Sequence, residues 1–366
     1  MVDASKPRQP TDSDRSVVFR GDGEPKTPRD LINRLTRFDE EVGLEADSYS
    51  LGGTVGRLEE RFAGMLGKES AIFMPTGTLA NHLAIRKHCG PRSRAVIQEQ
   101  SHVYNDTGDC TTRLSGISLI PLAKDRPYFT LEELRDAIAR SKDGRVTNPI
   151  GVIVIESPVR RQAGQIVPFE DMKSITEYSK TEGIPTHLDG ARLYMMAGAT
   201  GIRAELYAAL FDSVYVSLYK YFGAPFGSIL AGTSEFISGL YHDRRMFGGG
   251  LSSSYMAAAL ALQGCEGFEE RFPAAMKKAG ELFQRLNALD GIEIGRYEHG
   301  SNIFPVKLDP GVDAEGFISS LRRSWVFVFR NEESPDRIHL TVNTTILRQS
   351  NDELLEAFRG ALAESR

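Results

Sequence analysis

Asp189 closes the apolar run in "THLDGARLYMMAG", and Lys220 closes another in "SVYVSLYKYFGAPFGS", about thirty residues later. Charged groups avoid burial unless something pairs with them, so an acid and an amine at the ends of successive apolar runs suggest chemistry. A partly buried lysine condenses with carbonyls as a Schiff base. A buried carboxylate beside an aromatic nitrogen keeps that nitrogen protonated. The plainer alternatives are a lysine that snorkels to the surface and an aspartate that caps the helix beginning at Ala191. Upstream, "PTGT" lies between an apolar run and a helical one. Gly77 lets the backbone come close to a ligand. The hydroxyls of Thr76 and Thr78 and the first free amides of the helix can hold a phosphate; the alternative is a turn with an N-cap. Glu156 ends "IGVIVIE" as a fourth polar group at the close of an apolar run.

The elements that must position these groups alternate. "SAIFMP", "RAVIQE", "ISLIPL", "IGVIVIES", the run before Asp189, "SVYVSL" and "GSILAG" read as strands. Between them, "VGRLEERFAGMLGK" puts Leu58, Phe62 and Met65 on one helical face, and "TLEELRDAIARS" does the same with Leu131, Leu134 and Ile138. "TGTLANHLAIRKHCG" starts a helix that Gly90 closes. Continuous apolar strands alternating with helices predict an α/β fold with a mostly parallel sheet covered on both faces. Such sheets bind ligands beyond the carboxyl ends of their strands, which is where Thr76–Thr78, Glu156, Asp189 and Lys220 stand. The texture changes near residue 255. A long helical region to about residue 289 precedes short strands "NIFPVKL", "VFVFR" and "RIHLTV". The expected division is an N-terminal arm over 1–45, a large domain over 46–255 and a small α/β domain over 256–366, with residues 1 to about 15 disordered.

The 366 residues carry a net charge of −5 with acids and bases interspersed, which points to neither nucleic acid nor an anionic membrane surface. No apolar run is long enough for a membrane span, and the polar start lacks a secretory signal. Cys89, Cys110 and Cys265 are sparse and lack metal-ligand spacing, so no metal site is expected and a reducing cytoplasm is. A phosphate cradle, a lysine for an aldehyde and an acid for a pyridinium are together what pyridoxal 5′-phosphate (PLP) requires.

The order of these motifs resembles the threonine aldolase and β-eliminating lyase group of fold-type I PLP enzymes, from about Val18 to the C-terminus. The matching segments are "DSYSLGGTVGRLEERFAGMLGKESAIFMPTGTLAN", "SHVYND", "HLDGAR", "SLYKYFGAPFGS" and "RRMFGGG". The resemblance implies a large domain with a seven-stranded type of sheet. It implies that Lys220 holds the cofactor aldehyde, Asp189 the pyridine nitrogen, and Gly77 and Thr78 the phosphate. Arg192 matches an arginine near the ring's phenolic oxygen, and His102 a histidine stacked on the ring. Thr76, Glu156 and Ser217 complete the expected cofactor contacts. It also implies a homodimer or homotetramer with sites at the dimer interface, reached by Tyr49 and the "FGGG" segment at 247–250.

The match breaks on the substrate side. "RGDG" puts Gly21 where the family has a serine, and "GGGLSSS" puts Ser252 where an arginine is common. "ESPVRRQAGQ" aligns Val159 with the family's loop histidine, and valine moves no proton. Arg160 and Arg161 could replace it as a clamp for an acidic group. The carboxylate-binding arginine falls at Arg337 or gives way to His339, depending on register. The expected activity is a lyase cleaving Cα–Cβ of a β-hydroxy amino acid, with altered substrate choice. β-Elimination, racemisation or transamination are the alternatives within PLP chemistry. An inactive PLP-binding relative is disfavoured because Lys220, Asp189 and the phosphate loop are all present. A nicotinamide enzyme is disfavoured because no G-x-G-x-x-G follows an early strand.

Overall fold

The computed structural model describes residues 8–330 and 337–366. The chain forms two compact units: Arg34–Glu266, and Met1–Asn33 together with Gly267–Arg366.

The first unit is built on a seven-stranded sheet. Its strands are β1 (Ser70–Met74), β2 (Arg94–Gln98), β3 (Ser118–Leu122), β4 (Ile150–Glu156), β5 (Thr186–Asp189), β6 (Ser213–Ser217) and β7 (Ser228–Gly232). They lie in the order β1-β7-β6-β5-β4-β2-β3, and only β7 runs against its neighbours. Every residue of β4, β5 and β6 is buried, which is why their sequences run apolar without alternation. The register sets Glu156 beside Asp189 and Asp189 beside Tyr215, so three polar side chains end adjacent strands at one edge.

Helix α1 (Gly53–Leu66) buries Leu58, Phe62 and Leu66. Helix α2 (Gly77–Cys89) begins where the sequence pattern put it. The Thr76 hydroxyl accepts the Leu79 amide at 3.1 Å, so Thr76 is the N-cap. Gly90, at φ 52°, ends it.

In the second unit a four-stranded antiparallel sheet runs Phe329–Arg330, Ile338–Thr341, Ile303–Leu308, Ile292–Ile294. Its core gathers Phe19, Phe283, Phe317, Leu354 and Phe358. Val17–Val18 pairs in parallel with Val326–Phe327. Residues 8–33 therefore cluster with the C-terminal segment, where the sequence division had them in a separate arm, because a two-residue strand recognises its partner only by tertiary contact. The expectation of disorder over 1–15 falls partly on residues 1–7, outside the described set. The helical region expected from about 255 is two helices, Tyr255–Cys265 and Phe268–Leu286, broken at Gly267 with φ 59°. "VFVFR" splits between two sheets, and the three-residue strand Ile292–Ile294 is too short to show an alternation. Among the described residues no helix is long and apolar enough to cross a membrane, and no cluster of potential metal ligands occurs.

Candidate active site

The carboxyl ends of β1, β2, β4, β5 and β6 open onto a cavity of about 330 Å³. Thr76, Gly77 and Thr78 reach it after β1, His102 after β2, and Glu156 and Arg160 from the end of β4. Asp189 and Arg192 come from β5 and the turn after it, and Lys220 from the loop after β6. All nine are sequence-predicted site residues, brought together from distant segments because five parallel strands end on one edge.

At the first wall, α2 points its N-terminus into the cavity. The Gly77 and Thr78 amides precede the helix's i→i−4 ladder. A Cβ on Gly77 would stand 2.0 Å from Tyr215 Oη, so this position admits glycine alone. Opposite, the Asp189 carboxylate is buried. Its Oδ2 accepts Asn81 Nδ2 at 2.6 Å, and its Oδ1 accepts the Ala191 amide at 3.2 Å. The helix after it starts only at Leu193, with Arg192 as N-cap and no side-chain cap, so Asp189 does not cap that helix and its bond to the Ala191 amide closes the turn that precedes it.

Glu156 is also buried. Its Oε2 accepts the His102 amide at 2.5 Å and its Oε1 the Arg160 amide at 3.0 Å. Burial first, and then the Asp189 charge, push its carboxyl up to about 7, against the pull of those two amides. Glu156 ties the His102 turn to the Arg160 turn, so it acts as a strut for residues that line the cavity. Tyr215 Oη lies beneath Gly77, and burial followed by the Asp189 charge pushes that phenol well above its usual range.

Other expected site residues lie elsewhere. Ser217 is buried in β6 and does not line the cavity. Val159 is buried too, with its amide bonded to Gln165 O at 2.8 Å; the residue that enters the cavity is its neighbour, Arg160. Val159 also forms a backbone bridge with Gln165. Arg161 ion-pairs with Asp106 at 2.7 Å on a partly exposed surface, and Arg160 approaches the same carboxylate at 3.6 Å. Tyr49 is 47% exposed and has the Arg245 guanidinium 4.1 Å over its ring. Segment 247–250 borders a second hollow of about 350 Å³, which shares Pro75, Thr76 and Thr78 with the first. Arg337 and His339 belong to the other unit, where His339 Nε2 lies 3.1 Å from Tyr297 Oη.

Sequence reasoning missed Asn81, His187, Tyr215 and Tyr219. Tyr219 and Tyr215 line the cavity. Asn81 sits one helical turn after Gly77, a spacing that does put both on one face. Tyr215 carried no separate signal, because an aromatic inside "SVYVS" reads as core.

The profile of the beta-eliminating lyase family matches residues 35–308. Low-specificity L-threonine aldolase 1 of Arabidopsis thaliana is 28% identical over 356 residues, covering 95% of this chain and 97% of that protein. The low specificity L-threonine aldolase of Saccharomyces cerevisiae is 33% identical over 209 residues, 56% of this chain and 53% of that one. A crystal structure from Listeria monocytogenes, described as a candidate L-allo-threonine aldolase, superposes with a TM-score of 0.77 at 28% identity, covering 94% of this chain and 95% of that one. With the profile spanning most of the sequence and the sheet, cavity and motif order in agreement, this chain belongs to the threonine aldolase and beta-eliminating lyase family and has the fold of the fold-type I PLP enzymes.

Proposed function

We propose that the protein is a PLP-dependent lyase that cleaves the Cα–Cβ bond of a β-hydroxy amino acid, releasing glycine and an aldehyde. One observation carries this reading: the lysine, the buried aspartate and the open helix N-terminus share a single cavity. Family membership, and relatives that bear the name threonine aldolase, support it. The residues fit the cofactor. A helix N-terminus that only glycine permits suits a phosphate. A buried carboxylate suits a protonated ring nitrogen, and a half-buried lysine suits an aldehyde.

Bound PLP supplies an aldehyde for the amine and an electron-withdrawing ring that takes up the pair left at Cα. Gly77 and Thr78 would hold its phosphate, Asp189 would hold the proton on its ring nitrogen and Lys220 would hold its aldehyde. With its Nζ free, Lys220 could carry a proton to the substrate Cα. His102 takes the proton of the β-hydroxyl as that oxygen becomes the aldehyde carbonyl. The proton gained at Cα completes glycine, so no water or redox partner is consumed. Arg192 lines the same cavity wall and would contribute a positive charge beside the ring. Arg160 binds an acidic part of the substrate, because a guanidinium stays charged and moves no proton. The enzyme works as a homodimer or homotetramer, in the cytoplasm, where its three free cysteines stay reduced.

The test is spectroscopic and chemical. Protein supplied with PLP is expected to absorb in the visible, and Lys220→Ala to lose that band and all turnover. Retention of the band by Lys220→Ala after borohydride treatment and dialysis shows another lysine to be responsible. Product analysis over a panel of β-hydroxy amino acids should find glycine and aldehyde; a keto acid with ammonia would replace aldol cleavage by elimination.

A further inference from the structure

Behind Asp189 a line of polar side chains runs away from the cavity. Asn81 Nδ2 lies 2.6 Å from Asp189 Oδ2, and Asn81 Oδ1 lies 3.0 Å from His187 Nε2. His187 Nδ1 is 2.8 Å from Ser213 Oγ, which is 2.7 Å from His88 Nε2. Asn81, His187 and Ser213 are each at most 1% exposed, and none lines the cavity.

Each of these bonds needs one donor and one acceptor, so an anion at the Asp189 end, with neutral imidazoles, sets the direction of all of them. An ionised Asp189 only accepts. Asn81 must then turn its NH₂ to Asp189 and its carbonyl oxygen to His187. His187 must carry a proton on Nε2. Burial pushes that imidazole down to about 3, against the pull of a hydrogen bond with the Ser213 backbone, so the ring is neutral, and with its proton on Nε2 the lone pair lies on Nδ1. The Ser213 hydroxyl donates to it. His88, pushed down to about 4 mainly by burial, donates from Nε2 to Ser213. A proton on Asp189 Oδ2 would instead flip the Asn81 amide and move the proton of His187 to Nδ1, while the Ser213 hydroxyl, which can accept twice, would leave the bond to His88 free to run either way. A mixed arrangement faces two acceptors or two donors at about 3 Å, which costs the desolvation of both.

We propose that Asn81, His187, Ser213 and His88 form a one-way hydrogen-bond chain whose polarity holds Asp189 as an anion and thereby strengthens its grip on the cofactor's ring nitrogen. They are positioning residues that act through Asp189. The inference rests on the reading of Asp189 as the partner of that nitrogen. The charged and titratable groups around the chain are few. His88 feels Asp212, Arg92 and Lys87 and stacks on Phe236 at 4.4 Å. His187 feels His88, and Asp189 feels Glu156 and Tyr215.

Full-length protein carrying ¹⁵N-histidine, measured both with and without added PLP, tests it directly through long-range ¹H–¹⁵N correlations, with the two signals assigned by Ser213→Ala. His187 and His88 are expected as neutral Nε2–H tautomers, unchanged between about pH 6 and pH 9. A proton on Nδ1 of His187, alone or together with one on Nε2, overturns the proposal. A second arm measures PLP affinity by equilibrium dialysis. A hydrogen bond to a charged group is worth about tenfold to a hundredfold in binding, so Asn81→Ala should weaken PLP by about that factor. Ser213→Ala should weaken it less, and Ser213→Thr should restore it. Variants that lose thermal stability but keep wild-type PLP affinity reduce the chain to a structural role and refute the proposal. Should Asn81→Ala fail to fold, Ser213→Ala against Ser213→Thr decides. Failure of the wild type to take up PLP would strike the functional reading instead, since the histidine tautomers are read independently of it.

Discussion

Gly77→Ala perturbs the candidate site by one methyl group. The added carbon would lie 2.0 Å from Tyr215 Oη, 2.5 Å from Cζ and 3.2 Å from Cε1. Carbon atoms pack at about 3.5–4.0 Å, so the ring or the helix start must move by about 1.5 Å. The ring has little room, because Tyr215 packs in a cluster with Ile72, Met74, Ala80, Leu83 and Leu230. The start of α2 therefore has to shift, and with it the amides that Gly77 and Thr78 present. Overpacking of this kind costs about 1–3 kcal/mol. Urea unfolding should show the unfolding free energy falling by that amount, through a lower midpoint at unchanged slope, and PLP binding by equilibrium dialysis should weaken about tenfold or more. Gly64 is the control: it is helical and exposed, and its Cβ would meet nothing within 4 Å. Gly64→Ala should raise stability by about 0.5–1 kcal/mol and leave PLP binding alone. If Gly77→Ala matched the wild type in both stability and PLP affinity, the close approach between loop and tyrosine would not exist as described.

Two further outcomes are expected. A positioned base contributes about 10²- to 10⁴-fold in rate, so with His102 in that role His102→Ala should slow threonine cleavage by about that factor, and an unchanged rate would remove His102 as the base. Arg160→His should speed threonine cleavage, whereas Val159→His should chiefly lower the melting temperature by burying an imidazole; steady-state kinetics and calorimetry separate the two. Burial pushes Glu59 from its ordinary 4.5 up to about 7, although its Oε1 accepts the Phe73 amide and the buried Arg244 stands near. In that window the folded protein binds more protons at Glu59 than the unfolded chain does. The stability of the wild type relative to Glu59→Gln should therefore fall as pH rises from about 4.5 to 7, by at most about 1.4 kcal/mol per pH unit. A pH-independent difference in urea unfolding would contradict the burial argument.

Much of the first unit was legible because its information is local. Continuous apolar runs mark buried parallel strands, and Thr76, Gly77 and Gly90 announce the limits of α2 through capping and backbone conformation. Asp189 and Lys220 stood out because charge at the end of an apolar run is rare, and the order of motifs then pointed to the family. Residues whose meaning lies in a partner far along the chain were not legible. Val17–Val18 is too short to be read as a strand until Val326–Phe327 pairs with it. That Val159 is buried while its neighbour Arg160 lines the cavity follows from the fold of this loop, where Val159 bridges Gln165, and not from its sequence. Asn81, His187, Ser213 and His88 look like ordinary polar residues on four separate segments. Only the packing of α2 against the sheet sets them in line behind Asp189, since a hydrogen bond depends on distance and direction in space, which spacing along the chain does not encode.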